Sequence, residues 1–434
     1  MKRLFLLSLT AFLLQALHAQ PNAAVLTAEE AVRLALESNF DIRLVKADAE
    51  TAKLNNTKGN AGMLPTVNLV ANESFTLSSF QQKLSNGNEF NALGAPFNTA
   101  SAGVQLNWTL FDGRRMYITK KRLETLESLG QLNLQNQVQQ STAAVLQAYY
   151  DIARGREQEK ALTEIITLNE ERLRIAEARL AAGFAGQTDA LQAKIDLNQR
   201  RADLLSQQNV TTAAKRALNR LLARAPETAF EVSVLPESSY KPDRDQLLQK
   251  MQGGNASLLA QQKNADVAAL VVDETGTLNK ARITGIGQFN AQRADNGSGF
   301  LKSNTQAGLT VGAGLVYPLY SGGNYKRQVE TAKLQAQQAA LRTDALRLGI
   351  ETELDDQLAQ FQTQQQMFLL EEDNVKNARE NLNVSTERFR LGQTNALETQ
   401  TAQNTLEQAL FRRNLTLYNL KVVELRLKLL SGEL

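Results

Sequence analysis

The chain contains no proline between Pro96 and Pro226, and none after Pro318. Proline is the residue a helix interior tolerates least, because it removes a hydrogen bond and collides with the preceding turn. Residues 114–182 and 323–391 therefore read as two uninterrupted helical stretches of 69 residues each. At a rise of 1.5 Å per residue each would reach roughly 100 Å, far longer than a globular core can bury. Gly130, Gly155 and Gly349 weaken these stretches without stopping them. Two further long helices are expected at about 188–222 and 395–430. In the latter, Leu410, Leu417, Leu420 and Leu427 fall at seven- and three-residue spacings typical of coiled coils. Other faces are rich in Gln and Ala, as in residues 335–340. A helix wetted on two sides, as in the wall of a tube, fits that pattern better than a core helix.

The pairing of long stretches reflects an internal duplication. Asn39-Phe40-Asp41-Ile42-Arg43 recurs as Asn255-Ala256-Ser257-Leu258-Leu259, and Leu110-Phe111-Asp112-Gly113 as Leu319-Tyr320-Ser321-Gly322. Arg179-Leu180 recurs as Arg388-Phe389, and Gly186-Gln187-Thr188-Asp189-Ala190-Leu191 as Gly392-Gln393-Thr394-Asn395-Ala396-Leu397. The offsets are 216, 209, 209 and 206, so each change is an indel in a loop. Chance similarity would not keep four blocks in order. The first repeat is placed at 20–225, a linker at 226–243 and the second repeat at 244–434. Each repeat reads as helix, strand pair, very long helix, tight turn and long helix.

The strands are expected at about 66–77, 102–111, 281–293 and 306–319. In the first, Val67, Leu69, Ala71, Phe75 and Leu77 make an apolar face, with Glu73 the exception. Thr66, Asn68, Asn72, Ser74 and Thr76 make the other face polar. Val104, Leu106, Trp108 and Leu110 alternate with Gly103, Gln105, Asn107 and Thr109. Ile283, Phe289 and Ala291 oppose Thr284, Gln288 and Asn290, and Leu309, Val311, Leu315 and Tyr317 oppose Thr310, Gly312 and Gly314. Strands of about ten residues with one apolar face suit an outer-membrane barrel wall, or an ordinary half-buried sheet. Four strands cannot close a barrel, and open edges are not tolerated in lipid. Two chains would give eight strands, whose interior side chains fill the space, whereas three would give twelve and a lumen. An open channel thus favours at least a trimer.

Composition narrows the chemistry. Residues 1–19 read as a secretory signal, with Lys2 and Arg3 before an apolar stretch and Ala19 at the cut. Removing Lys2 and Arg3 from 48 basic residues leaves 46 against 45 acidic ones, a net charge near +1. Basic clusters stay small, so a nucleic-acid footprint is not expected. There is no cysteine, and the single histidine, His18, lies in the signal. Cysteine nucleophiles, Ser-His-Asp triads, zinc sites and disulfides are excluded for the mature chain. No cofactor or metal is expected, and no enzymatic activity. A secreted coiled-coil structural protein or adhesin without a pore is the competing reading, and a carboxylate-based hydrolase a remote third.

The duplicated order of these elements resembles the TolC-like outer-membrane efflux protein family over nearly the whole mature chain. The residues that carry the resemblance are the helix starts at Asn39 and Asn255, with the strand-end turns Phe111-Asp112-Gly113 and Tyr320-Ser321-Gly322. The helix-turn-helix tips at Gly183 and Gly392 complete the pattern. The resemblance implies a mixed α and β fold: a homotrimeric, twelve-stranded barrel in the outer membrane of a Gram-negative cell, continued by a coiled-coil tunnel through the periplasm. It implies a passive exit duct for efflux or type I secretion. The partners would be a periplasmic membrane-fusion adaptor, an inner-membrane pump of RND, ABC or MFS type, and outer-membrane lipid. Residues 78–100 and 295–306 would be external loops, and 226–243 part of a belt around the tunnel.

The tips are where such a channel would be gated. The family turn carries two aspartates at its narrowest point; here the matching residues are Asn395 and Glu398, with Asp189 and Gln192 in the first repeat. Three copies of Glu398 would form an acidic ring favouring cations. The bland reading is helix capping, since Asn395 with Glu398, and Asp189 with Gln192, have capping-box spacing. Some family members lock the closed state through a Tyr and an Arg reaching a Thr-Asp pair. The pair survives as Thr188-Asp189, whereas Phe389 holds the Tyr position and no Arg matches. Gly183 and Gly392 read as left-handed turn residues ending the ascending helices. Ala182, Gly183, Phe184, Leu391, Gly392 and Gln393 are candidate adaptor contacts. Trp108 and Tyr317 are candidate membrane-interface aromatics.

Overall fold

A computed structural model describes residues 25–299 and 301–434; the signal-like segment 1–19 lies outside them. The first half runs β1 (Val25–Leu26), α1 (Ala28–Ser38), α2 (Phe40–Asn55), β2 (Thr66–Lys83), β3 (Glu89–Phe111), α3 (Arg115–Ala181) and α4 (Gln187–Leu221). The second runs β4 (Glu231–Val232), α5 (Arg244–Gly254), α6 (Ala256–Gly276), β5 (Arg282–Asn296), β6 (Ser303–Val316), α7 (Asn324–Arg390) and α8 (Ala396–Ser431). The order of helices and strands is the same in both. Helices α3 and α7 are each 67 residues long and run unbroken through the glycines that weaken them. Two of those glycines have a packing role. A Cβ on Gly130 would stand 3.3 Å from the Ala49 backbone, and one on Gly155 would meet Thr211 Oγ1 at 2.7 Å. None of the described helices is long and apolar enough to cross a membrane.

The chain divides into two compact units. One comprises the residues up to Lys46 with Asn133–Leu259 and Leu346–Leu434, and it is built on helices. Its N-terminal helices start on side-chain caps: Thr27 Oγ1 accepts from Glu30 N at 3.1 Å, and Asp243 Oδ1 from Gln246 N at 3.0 Å. Asn39 and Asn255 then make equivalent joints. Each ends one helix, accepting on its side chain the first free amides of the next, Asp41 and Ile42 in one case and Leu258 in the other. Each also donates across the packing to a carbonyl at the end of a long helix, Leu221 at 2.8 Å and Leu430 at 2.9 Å. A buried asparagine thereby satisfies helix-end groups that would otherwise be orphaned.

Each joint lies beside its own core. Ala31, Ala35, Val145, Tyr149, Ile152, Leu218 and Phe230 cluster in the first half, and Leu247, Met251, Leu258, Leu354, Phe361 and Leu427 in the second. Full burial of a Leu or Ile side chain is worth about 1.5–3 kcal/mol. The expected linker 226–243 is not featureless. Its β4 pairs in parallel with β1, matching Val25 to Glu231 and Leu26 to Val232. Tyr149 Oη donates to Leu26 O at 2.9 Å and accepts from Ser233 N at 3.0 Å, fastening the pair to α3.

The second unit, Ala47–Leu132 with Ala260–Ala345, carries a four-stranded antiparallel sheet in the order β2-β3-β5-β6. The register aligns the apolar residues of all four strands, as in the row Leu69, Val104, Phe289 and Leu309. Within this unit nothing covers that face: Leu69 and Val311 are each 79% exposed. A half-buried soluble sheet would hide such residues. Glu73, the exception on this face, is level with Arg293 across Ala100 and accepts from Asn98 Nδ2 at 3.4 Å.

The strands depart from expectation at their far ends. Residues 78–83 and 89–100 are strand rather than external loop, and only 84–88 turn. Their Ser, Gln and Asn content hides them, yet the ladder needs only backbone groups. The Phe80 and Phe97 rings meet across it in a tilted contact with centroids 5.8 Å apart, and Gly87 supplies a φ of 85° at the turn. The second expected loop shortens similarly, with β5 ending at Asn296 and β6 starting at Ser303. At the other end β6 stops at Val316, so Tyr317 lies beyond the strand, just before Pro318, which has no amide to donate. Trp108 is within β3 and donates to Met63 O at 3.0 Å.

The hairpin tips as a candidate functional site

The two turns that end α3 and α7 have the same backbone. Gly183 and Gly392 both sit at φ 74°, a left-handed conformation that costs other residues about 1–2 kcal/mol. Behind Gly183, Phe184 N bonds Arg179 O at 2.8 Å and Gly183 N bonds Leu180 O at 3.0 Å. Behind Gly392, Gln393 N bonds Arg388 O at 2.8 Å and Gly392 N bonds Phe389 O at 3.1 Å. Both are Schellman motifs, satisfying the last carbonyls of the long helices. Phe184 is 78% exposed, and Leu391 and Leu397 are exposed as well, so both tips present apolar side chains.

The helices that leave the turns start differently. Asn395 caps α8, accepting from Glu398 N at 3.0 Å. The Glu398 carboxylate does not reach back to complete a capping box. It takes Arg388 Nη1 at 2.8 Å and the Thr394 hydroxyl instead. In the first repeat the cap is Gly186, with no side-chain bond, and Asp189 is already the third residue of α4. The capping-box reading of Asp189 with Gln192 is therefore incorrect. Shared motif residues fall in different places because the first turn is three residues longer. Gly186 aligns with Gly392 in sequence, but Gly183 is its structural equivalent. Among the described residues Asp189 meets no cation, whereas Glu398 does. Gln192 donates to Asp196 Oδ1 at 2.8 Å.

Asp196 is a junction that sequence reasoning missed. Its carboxylate takes the nearly buried Arg172 guanidinium from α3, Gln192 from its own helix and Gln400 Nε2 from α8 at 2.8 Å. A cavity of about 180 Å³ opens beside it, bordered by Arg172, Asp189, Phe389, Leu397 and Gln400. Arg179 makes a second tie, donating to Phe389 O at 2.9 Å with its guanidinium 4.8 Å over the Phe389 ring. Phe389 is buried and, having no hydroxyl, serves as an aromatic platform for an arginine from the other hairpin. Further along, Arg200 joins Glu407 at 2.9 Å and Asp203 at 3.2 Å. Burial pushes the Glu407 carboxyl above its usual range, Arg200 pulls it down and Asp203 adds to the rise. Arg379 bonds Glu164 at 2.6 Å. Apart from Gln192–Asp196 and Arg200–Asp203, which lie within one helix, the partners in these ties are distant in sequence, and no local motif marks them. No group of three or more His, Cys, Asp or Glu suited to a metal occurs among the described residues.

Two long helical hairpins and a two-edged sheet with a bare apolar face are the features of a class, the outer-membrane channel proteins. Residues 31–224 and 247–433 match the family described as outer membrane efflux protein. The chain belongs to that family, and its place is the outer membrane. It is 23% identical over 383 residues to the outer membrane efflux protein BepC of Brucella suis biovar 1 (strain 1330), covering 86% of this chain and 80% of that protein. Among solved structures it resembles the Campylobacter jejuni CmeC outer membrane channel, with a TM-score of 0.80 at 16% identity, covering 93% of this chain and 85% of the other. It also resembles the outer membrane protein VceC of Vibrio cholerae, with a TM-score of 0.76 at 17% identity, covering 93% and 96%.

Proposed function

We propose that three copies of this chain form a passive outer-membrane duct. Cargo from an inner-membrane pump would reach it through a periplasmic adaptor. The observation that carries this reading is the sheet: an apolar face left bare, with β2 and β6 as unpaired edges. Joining β6 of one copy to β2 of the next satisfies both edges, and three copies close twelve strands around a lumen. The family and the channels of the same fold support the duct.

The tips are the candidate gate. Asp189 is the carboxylate left open there, while Arg388 offsets Glu398, so Asp189 is the stronger source of a cation-favouring ring. Asn395 and Gln192 position these turns. The exposed apolar residues Phe184 and Leu391 with the glycine turns Ala182-Gly183 and Gly392-Gln393 form the adaptor contact. Thr188 keeps its place beside Asp189, and the tie through Phe389 comes from Arg179. Trp108 and Tyr317 mark the membrane interface. Purified protein should run as a trimer in detergent and conduct when inserted into planar bilayers. Repeated insertion without conductance would remove the duct.

A further inference from the structure

The polar face of the sheet is almost free of charge. From Thr66 to Ser78 on β2, from Ala95 to Thr109 on β3, and along all of β5 and β6, it presents Thr, Ser, Asn, Gln, Gly and a few apolar side chains. The single charged residue on that face is Arg282, the first residue of β5, paired in register with Val316. Its guanidinium has no carboxylate partner among the described residues, and it is exposed.

Arg282 borders a cavity of about 580 Å³ that also takes in Arg115, Arg122, Lys280, Asp112 and Glu274. Arg115 and Arg122 both spend their charge on Glu274, at 3.3 and 2.8 Å. Asp112 Oδ2 accepts from Met116 N at 3.0 Å at the start of α3, while its Oδ1 is buried without a hydrogen-bond partner among the described residues, so its negative charge still counts in the balance. Four cations against two carboxylates leave a surplus of two positive charges, and Lys280 and Arg282 are the cations that have no carboxylate partner among the described residues. In a wall otherwise made of neutral dipoles, an uncompensated cation dominates the local field.

We propose that Arg282, backed by Lys280, is an anion-attracting ring at the mouth of the barrel where its strands meet the helices. This rests on the three-chain duct described above, which turns the polar face inward and repeats Arg282 three times around the lumen. The ligand class is anionic: chloride among simple ions, and cargo bearing carboxylate, phosphate or sulfate groups. The ring opposes the acidic one at the tips, so the duct has two charge filters of opposite sign.

Reversal potentials in a KCl gradient test this. Arg282→Glu should shift the permeability ratio toward potassium by at least about threefold, Arg282→Gln should shift it less in the same direction, and Arg282→Lys should restore the parent value. An unchanged ratio in conducting Arg282→Glu trimers overturns the ring. So does a loss of trimer stability in Arg282→Gln without a change in selectivity, which would mean that a neighbouring subunit's carboxylate neutralises the arginine. Should Arg282→Glu fail to assemble, Lys280→Glu, outside the strand, must give a shift of the same sign or the proposal falls. Failure of the duct itself is distinguishable, because the parent protein would then not conduct at all.

Discussion

The two hairpin tips are copies of one ancestral unit, and they differ in a specific way. Their backbones agree: the same left-handed glycine, the same two Schellman bonds, the same φ of 74°. Their side chains do not. Arg179 and Arg388 are repeat equivalents, yet Arg179 crosses to the opposite hairpin and stacks on Phe389, while Arg388 stays within its own turn and pairs with Glu398. A turn has few backbone solutions, so duplication preserves it. Electrostatic partners are set by neighbours, which differ for each copy, and so the charges diverge. One tip supplies the tie between hairpins; the other settles its own charge.

If backbone requirements are what the repeats share, disrupting them should cost the same in both. Asn39→Ala and Asn255→Ala should each lower stability by about 2–3 kcal/mol, since both leave a carbonyl and a helix start unserved. Thermal unfolding of the helical signal in detergent would show it, and very unequal losses would break the equivalence of the joints. Gly183→Val and Gly392→Val should each cost about 1–2 kcal/mol through the strained φ, read as faster hydrogen exchange at the last turn of α3 or α7. Gly186 has an ordinary φ of −81° and lacks a side-chain cap, so Gly186→Ser should stabilise α4 by roughly 0.5 kcal/mol.

Two buried carboxylates on α8 sharpen the contrast through pH. Burial raises Glu407, so the folded state holds that proton more tightly than the unfolded chain does. Its contribution is therefore largest in acid and declines as pH rises from the usual 4.5 through the raised value. At Glu424 burial is outweighed by hydrogen bonds from Lys421, Lys428 and Ser238, which hold the carboxyl below 4.5. Its contribution is present above the usual value and is lost as pH falls through the lowered one. Glu407→Gln and Glu424→Gln should change the slope of stability against pH near 4–5 in opposite directions, and urea midpoints across that range would reveal it. The smallest effect concerns selectivity at the tips. Asp189→Asn should reduce cation preference more than Glu398→Gln, because Arg388 already offsets Glu398; reversal potentials of the two variants decide the order.

Features that depend on one residue's own conformational limits were readable in the sequence. The missing prolines foretold α3 and α7 to within a residue or two of each end, and Gly183 and Gly392 announced their turns. The alternation from Val67 to Leu77 foretold the bare face of β2. What could not be read depends on meetings between distant residues. Asp196 joins Arg172, 24 positions away, to Gln400, 204 positions away. The motif shared by Gly186 and Gly392 misled, since a three-residue difference in turn length gives identical residues different jobs. The strands beyond Ser78 were hidden because their pairing is held by backbone groups, one aromatic contact, the Lys83–Glu89 ion pair and a bond from Gly94 N to Ser79 Oγ, without apolar alternation.

The unpaired edges of the sheet have a genetic consequence. An interface in which β6 of one subunit meets β2 of another is head-to-tail, so every chain supplies both sides of the seam. A variant with a spoiled β6 but a sound β2 would still be recruited into rings that it cannot finish. If the ring is the trimer proposed above, expression at equal levels with the normal chain would leave only about one ring in eight fully normal under random mixing. Such alleles would act dominantly, and a short peptide copying β6 would be a candidate poison of assembly.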